Sequence, residues 1–344
     1  MHQSVGLSHH GDPRLLALRQ WLDTLSGIQF DSKTLRPASS DASFRRYFRV
    51  DSSKGSLIVM DAPPDKEPVQ PFLHVAEVFR QIGVSVPDVI AAHVGAGFLL
   101  LSDLGAKTYL QELSENSAHA LYMDAIDSLI RIQSASVPGT LPEYDRTLLL
   151  RELSLFPEWF IAKHVQVGLS DEQKSDLSRV FDLILSNNLA QQPVYVHRDY
   201  HSRNLMVTES GNPGILDFQD AVYGPLTYDL VSLLRDAYIV WDEERVLDWV
   251  IRYWERARRA GLPVPPDIDA FYRDFEFMGV QRHLKILGIF SRLYYRDGKA
   301  AYLNDLPVVL AYVTKVLERY KELSPLRQIL DPLLERTPQV GYTF

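Results

Sequence analysis

The chain has 344 residues, 46% of them hydrophobic and 23% charged, the composition of an ordered globular protein. That length exceeds the roughly 250 to 300 residues at which a single core stops growing, so two lobes are expected. A formal net charge of −8 argues against a general nucleic-acid binder, and the lack of any cysteine excludes disulfides, thiolate–zinc sites and thiol nucleophiles.

The first residues, "MHQSVGLSHHGDPRLLALRQWL", lack the basic start and apolar run of a signal peptide, and apolar runs such as "GFLLL" at 97–101 are far below membrane-spanning length. A cytoplasmic monomer acting on a small molecule, with neither nucleic acid nor membrane as partner, is expected.

Residues 13–25 read as an amphipathic helix, with Leu15, Leu18, Trp21 and Leu22 at helical spacing. "PASSDAS" (37–43) is a small-residue loop that could also enter the first strand. It leads into two strand-like runs, "FRRYFRV" (44–50) and "SLIVMD" (56–61), joined by "DSSKG", a pattern that predicts a β-hairpin. Prolines make 62–71 an irregular connection. A helix over 72–83 stops at a glycine with a proline beyond it, and 89–94 and 98–101 predict a further strand pair. Residues 1–101 therefore form a sheet-rich lobe, 102–107 a hinge, and 108–344 a larger lobe. In that second lobe helices are predicted at 117–136, 151–164, 171–187, 226–238, 243–260, 267–295 and 307–323, with strand pieces at 194–196, 205–207 and 215–216. The fold class is α+β with two lobes.

The chemistry concentrates in "VYVHRDYHSRNLMV" (194–207) and "ILDFQD" (215–220). The apolar "VYV" ends a buried strand and delivers His197, Arg198 and Asp199 to its polar end. Asn204 follows five residues after Asp199, and the turn "TESGNPG" brings "ILDFQD" back antiparallel. Asp199, Asn204 and Asp217 are thereby placed around one small volume. Oxygen donors on Asn204 and Asp217 suit a Mg²⁺ ion that keeps positions for water and phosphate, and Asp199 is left to orient an attacking hydroxyl and take its proton. That division of labour is phosphoryl transfer.

The paired motif "HRDYHSRN … ILDFQD", followed by "GPLTYDLVSLLRD" with no "APE", resembles the protein-kinase-like fold in its small-molecule branch, the aminoglycoside phosphotransferase and choline kinase group. Within it, "SDASFRRYF", "MDAPP", "LLLSDLG" and "RHLKILGIFSRL" are similar to the anomeric kinases of cell-wall amino sugars. Those enzymes use ATP to phosphorylate the C1 hydroxyl of N-acetylmuramic acid and N-acetylglucosamine in peptidoglycan recycling. The resemblance implies a two-lobed kinase-like fold with a small β-rich lobe, ATP and Mg²⁺ as cofactors, Asp199 as catalytic base, and Asn204 and Asp217 as metal ligands. It also implies that Ser39, Ser40, Asp41, Ala42 and Ser43 cover the phosphates, and that Ser102, Asp103 and Leu104 lie beside the adenine. His197 and Asp229 would brace the catalytic loop.

The family pattern is not complete. Met60 stands where the phosphate-gripping strand has lysine, and the partner glutamate falls near Phe72. Arg45, Arg46, Lys54 or Lys66 could supply the charge, with the arginine pair the first choice, set against a surface role for each. Candidate substrate contacts are Glu158, Arg203, Gln219, Arg282 and His283. Exposure on a solvated face is the alternative for one or two of Arg282, His283 and Lys285, although Arg282 and Lys285 share a helix face. His197 and His201 as a metal pair is disfavoured, because H-x-x-x-H pairs ligands on a helix and this segment leaves a strand. Other readings are a kinase for an aminoglycoside, choline or a pentose derivative, and a nucleotide-binding pseudokinase or scaffold.

Overall fold

Asp12 accepts hydrogen bonds from the backbone N–H groups of Arg14 and Leu15, and Pro13 fills the first helical position, so helix α1 (Pro13–Asp23) starts there. In this computed structural model residues 12–39 and 44–334 are described, and the chain divides into two units, Met1–Ala106 and Lys107–Phe344. The first unit holds strands β1 (Phe30–Ser39), β2 (Arg46–Ser52), β3 (Gly55–Asp61), β4 (Val89–His93) and β5 (Phe98–Ser102), with helix α2 (Gln70–Ile82) between β3 and β4. They form one antiparallel sheet in the order β1-β2-β3-β5-β4.

The predicted hairpin is β2–β3, closed tightly with Ser52 opposite Gly55, and Gly55 has φ 94°, which a side chain would strain. Alternate residues Phe48, Val50, Leu57, Val59, Phe98 and Leu100 turn one way and pack with Leu15, Leu18, Trp21 and Leu22 of α1. Met60, one residue out of that phase, is buried nonetheless.

Strand β1 was not anticipated. Its polar "FDSKTLRPAS" includes a proline that a central strand would reject, but β1 is an edge strand whose pairing with β2 shifts register twice. Its last residue is Ser39. The predicted phosphate-covering residues Ser40, Asp41, Ala42 and Ser43 lie outside the described residues.

The second unit contains α3 (Tyr109–Glu112), α4 (Ala118–Ser134), α5 (Arg146–Leu155), a π-helix (Phe156–Val165) and α6 (Asp171–Ala190). Strands β6 (Pro193–Val196), β7 (Leu205–Met206), β8 (Gly214–Ile215) and β9 (Val222–Pro225) follow, then α7 (Tyr228–Leu234), α8 (Glu243–Arg259), α9 (Ile268–Asp297), α10 (Leu306–Arg319) and α11 (Ser324–Leu334). The predicted single helix over 151–164 starts earlier, at the Asp145 cap, and changes to π pitch at Phe156. Pro157 accounts for the change, because it lacks an N–H and crowds the carbonyl one turn back.

Helix α9 is the spine of the unit, buried almost continuously from Phe275 to Ser291. Its Gly288 rests on the backbone of Leu155, where a Cβ would lie 2.4 Å from the carbonyl carbon. No larger residue fits there. The stretch Ala300–Arg319 has the length and apolarity of a membrane span. Leu306, Val309, Leu310, Val313, Val316 and Leu317 nevertheless recur at helical spacing and are buried, and Arg319 pairs with Glu243 and Glu276, which marks a core helix.

Candidate active site

Strand β6 pairs with β9, and β7 pairs with β8 with Leu205 opposite Ile215. The segment 197–204 leaves β6 and turns before β7, while Asp217 follows β8, so the β6–β9 pair and the β7–β8 hairpin bring the three predicted residues together. Asp229, fully buried in α7, accepts the N–H of His197 at 2.6 Å and of Arg198 at 3.0 Å. Burial pushes its carboxyl up to about 7 although both N–H groups favour the charged form.

His197 is buried. Its Nδ1 accepts the Asp199 N–H at 3.2 Å, so the Nε2 proton donates to the Leu216 carbonyl at 2.9 Å. The ring therefore ties the catalytic loop to the end of β8, and burial lowers its pKa to about 4. With both nitrogens engaged it is not available as half of a metal pair with His201.

Asn204 donates to the Asp199 carbonyl at 3.0 Å and approaches Asp217 Oδ2 at 3.4 Å, while Gln219 donates to Asp217 Oδ1 at 2.8 Å. Gln219, predicted as a substrate contact, is thus placed as the residue that orients Asp217. Two residues here hold non-glycine backbones in the left-handed region, Arg198 (φ 76°) and Asp217 (φ 62°). Such strain persists where the surroundings over-determine it.

For Asp199, burial would raise the pKa, but Lys285, His201, Arg282 and Arg198 hold it below its ordinary value. The carboxylate stays ionised. Behind it lies a network that the sequence did not announce. Glu152 of α5 accepts from Arg198 at 2.5 Å, from Lys285 at 2.9 Å and from the Tyr144 hydroxyl, and Lys285 also donates to the Tyr228 hydroxyl at 3.0 Å. Burial opposes charge on Glu152, yet the two cations bring its pKa below the usual carboxylate range.

The donors around Asp217 fit Mg²⁺ in chemistry. Asp217 offers carboxylate oxygens, a half-turn of the Asn204 amide would present its oxygen, and too few protein groups converge for a fully protein-bound ion. Among the described residues no group of three or more His, Cys, Asp or Glu is arranged to hold a metal.

The remaining predicted residues are distributed as follows. Arg282 (4% exposed), His283 (1%) and Lys285 (8%) are all buried, which overturns the solvated-face alternative. His283 faces the core, stacked on Tyr312 with Nε2 bonded to the Arg235 carbonyl, and is sealed from solvent. Arg203 is exposed and lies 3.5 Å over the Tyr238 ring, and Glu158 is exposed in the first turn of the π-helix.

In the first unit, Arg45 pairs with Glu67 at 2.8 Å. Arg46 joins Arg14 on the fully buried Asp61 and also pairs with Asp12, so it ties α1 to the hairpin. Both arginines, the first choice for the missing phosphate-side charge, are thus engaged in ion pairs within the first unit. Asp103 accepts from Arg49 at 2.6 and 2.9 Å and from Ser56 at 2.7 Å, so its carboxylate is already engaged. Ser102 accepts the Asp88 N–H, and Leu104 is half-exposed.

An ionised carboxylate, an amide and a second carboxylate on a braced loop, carried by a kinase-like α+β fold, define an enzyme that transfers phosphate to a hydroxyl. The chain belongs to the phosphotransferase enzyme family, whose profile it matches over residues 34–263. It is 52% identical to the N-acetylmuramate/N-acetylglucosamine kinase of Neisseria meningitidis serogroup B over 338 residues, covering 96% of this chain and 99% of that one. With the protein of the same name from Pseudomonas aeruginosa it shares 46% identity over 330 residues, 94% of this chain and 97% of the other. In fold it resembles the ADP-bound aminoglycoside phosphotransferase APH(2'')-Ib, with a TM-score of 0.56 at 16% identity over 89% of this chain and 99% of that one.

Proposed function

We propose that the chain is an ATP-dependent kinase that phosphorylates the anomeric C1 hydroxyl of N-acetylmuramic acid and N-acetylglucosamine, in the recycling of cell-wall sugars. The observation that carries the reading is the Asp199–Asn204–Asp217 cluster on a loop braced by His197 and Asp229. The identity to kinases named for these two sugars supports the acceptor.

In the reaction the C1 hydroxyl oxygen attacks the γ-phosphorus, the bond from that phosphorus to the β-bridging oxygen breaks, ADP leaves, and the hydroxyl proton passes to Asp199. The cations around Asp199 keep it ionised and so able to accept. Asn204 and Asp217 would hold Mg²⁺, which when bound neutralises phosphate charge. Gln219 fixes the Asp217 carboxylate, and the carboxylate of Asp103, engaged by Arg49 and Ser56, leaves backbone groups at 102–104 for a nucleotide base.

Purified protein with Mg-ATP should convert both sugars to 1-phosphates, read by phosphorus NMR, and Asp199→Asn should lower kcat about 10²–10⁴-fold. Phosphate at C3, C4 or C6 refutes the anomeric assignment. Normal turnover by Asp199→Asn refutes the mechanism.

A further inference from the structure

Three buried or half-buried cations act on Asp199: Arg198, Arg282 and Lys285. Two are neutralised together, since Arg198 and Lys285 converge on Glu152. The third is not. Arg282 is 4% exposed, no hydrogen bond or ion pair engages its guanidinium among the described residues, and its Nε and Nη1 are sealed from solvent without an acceptor.

Neither of the two carboxylates that feel its charge fills that need. Asp229 is taken by two backbone N–H groups, and Asp199 feels the Arg282 charge without bonding to it. The charge of Arg282 is also felt by His201 and Tyr238, whose rings meet edge to face with centroids 5.4 Å apart. His201 Nδ1 is likewise buried without a partner, and Arg203 stacks on the other partner of this group, the Tyr238 ring. Asn204 and Gln219 both bond to Asp217, and neither bond involves these residues.

A buried guanidinium lacking an acceptor has lost its hydration with no return to the fold. It becomes favourable once an anion arrives to accept from it, and a carboxylate matches its planar donors. We propose that Arg282 is the carboxylate subsite of the acceptor pocket, where it takes the lactyl carboxylate of N-acetylmuramate and sets the preference over N-acetylglucosamine, which lacks that group. This rests on the acceptor reading above and adds the residue that tells the two sugars apart.

The test compares wild type, Arg282→Gln and Arg282→Lys on both sugars with Mg-ATP. In Arg282→Gln the ratio of kcat/KM for N-acetylmuramate to that for N-acetylglucosamine should fall about 10–100-fold, mostly through KM, as expected for losing a hydrogen bond to a charged group. Arg282→Lys should recover part of the ratio. Without sugar, Arg282→Gln should melt at or above the wild-type temperature, since an unpaired buried charge is removed, and the thermal shift that N-acetylmuramate gives the wild type should be lost. A ratio within about threefold of wild type, including an equal fall on both sugars, overturns the proposal and assigns Arg282 to a group the two reactions share. A large drop in melting temperature with the ratio unchanged also overturns it and makes the residue structural. Wild type that phosphorylates neither sugar is a different result: it refutes the acceptor reading itself.

Discussion

Lys285 Nζ lies 2.9 Å from a carboxylate oxygen of Glu152, and this contact joins the long α9 to α5 directly behind the catalytic loop. Glu152 also holds Arg198, the residue before Asp199, so one buried carboxylate serves two cations on two different elements. Glu152→Gln leaves both without a charged partner. It should cost about 3–5 kcal/mol of stability and lower kcat through the released loop, measured by urea unfolding alongside steady-state kinetics. A variant of wild-type stability would show that the cations find other partners.

The seat of α9 is set by the absence of a side chain. At Gly288 a Cβ would meet the Leu155 carbonyl carbon at 2.4 Å and its oxygen at 2.5 Å, backbone atoms that cannot rotate away. Gly288→Ala should destabilise by about 1–3 kcal/mol. Because α9 carries Arg282 and Lys285, it should also raise KM for the sugar more than for ATP. Thermal melting and the two KM values together check this.

In the first unit the corresponding strongpoint is Asp61, buried between Arg14 and Arg46. Asp61→Asn removes the charge that both guanidiniums share. Both arginines are about one-third exposed and can regain water, so a loss of about 2–3 kcal/mol is expected, below that for a fully buried pair. Hydrogen exchange should speed up in β2 and β3 while α9 stays protected, and uniform loss of protection would contradict a local role.

Two buried histidines set an acid limit. His197 and His283 have pKa values depressed to about 4 and about 3 by burial; Leu216 and Arg235 carbonyls favour the charged forms, while the Arg282 and Arg235 charges oppose it at His283. Both are neutral in the folded protein above those values but protonate near 6.5 when unfolded. The unfolded chain therefore binds more protons between pH 6.5 and 4, and stability falls as pH falls, by about 1.4 kcal/mol per pH unit for each histidine. His283→Phe should reduce that slope by about one proton's worth. Denaturant titrations at pH 6.5, 5.5 and 4.5 measure it, and an unchanged slope would contradict the assignment.

The residues proposed to do the chemistry were legible because they sit on local signals. A turn between two short strands fixes where Asp199, Asn204 and Asp217 meet, and that requires no long-range information. Glu152 and Lys285 were harder to read because their significance is a tertiary contact across more than a hundred residues, and in sequence each is one more charge on a helix. Strand β9 was missed because "VYGP" contains two strand breakers. Gly224 is needed there, since a Cβ would lie 2.5 Å from the Tyr144 Cβ, and Pro225 falls at the strand end. The arginine pair at 45–46 shows a different limit. Its charge was visible, but the carboxylates that absorb it come from α1, the end of β3 and the connection after it.

Arg198 and Asp217 keep side chains where the backbone would accept glycine more cheaply, by about 1–3 kcal/mol each. An effort to make this protein hardier by relaxing its strained positions would choose these two early. Asp217→Gly could yield a chain that withstands heat better and transfers nothing. Screening for robustness alone would therefore favour variants that have lost their chemistry, so selection for thermal tolerance should be paired with a turnover assay from the first round.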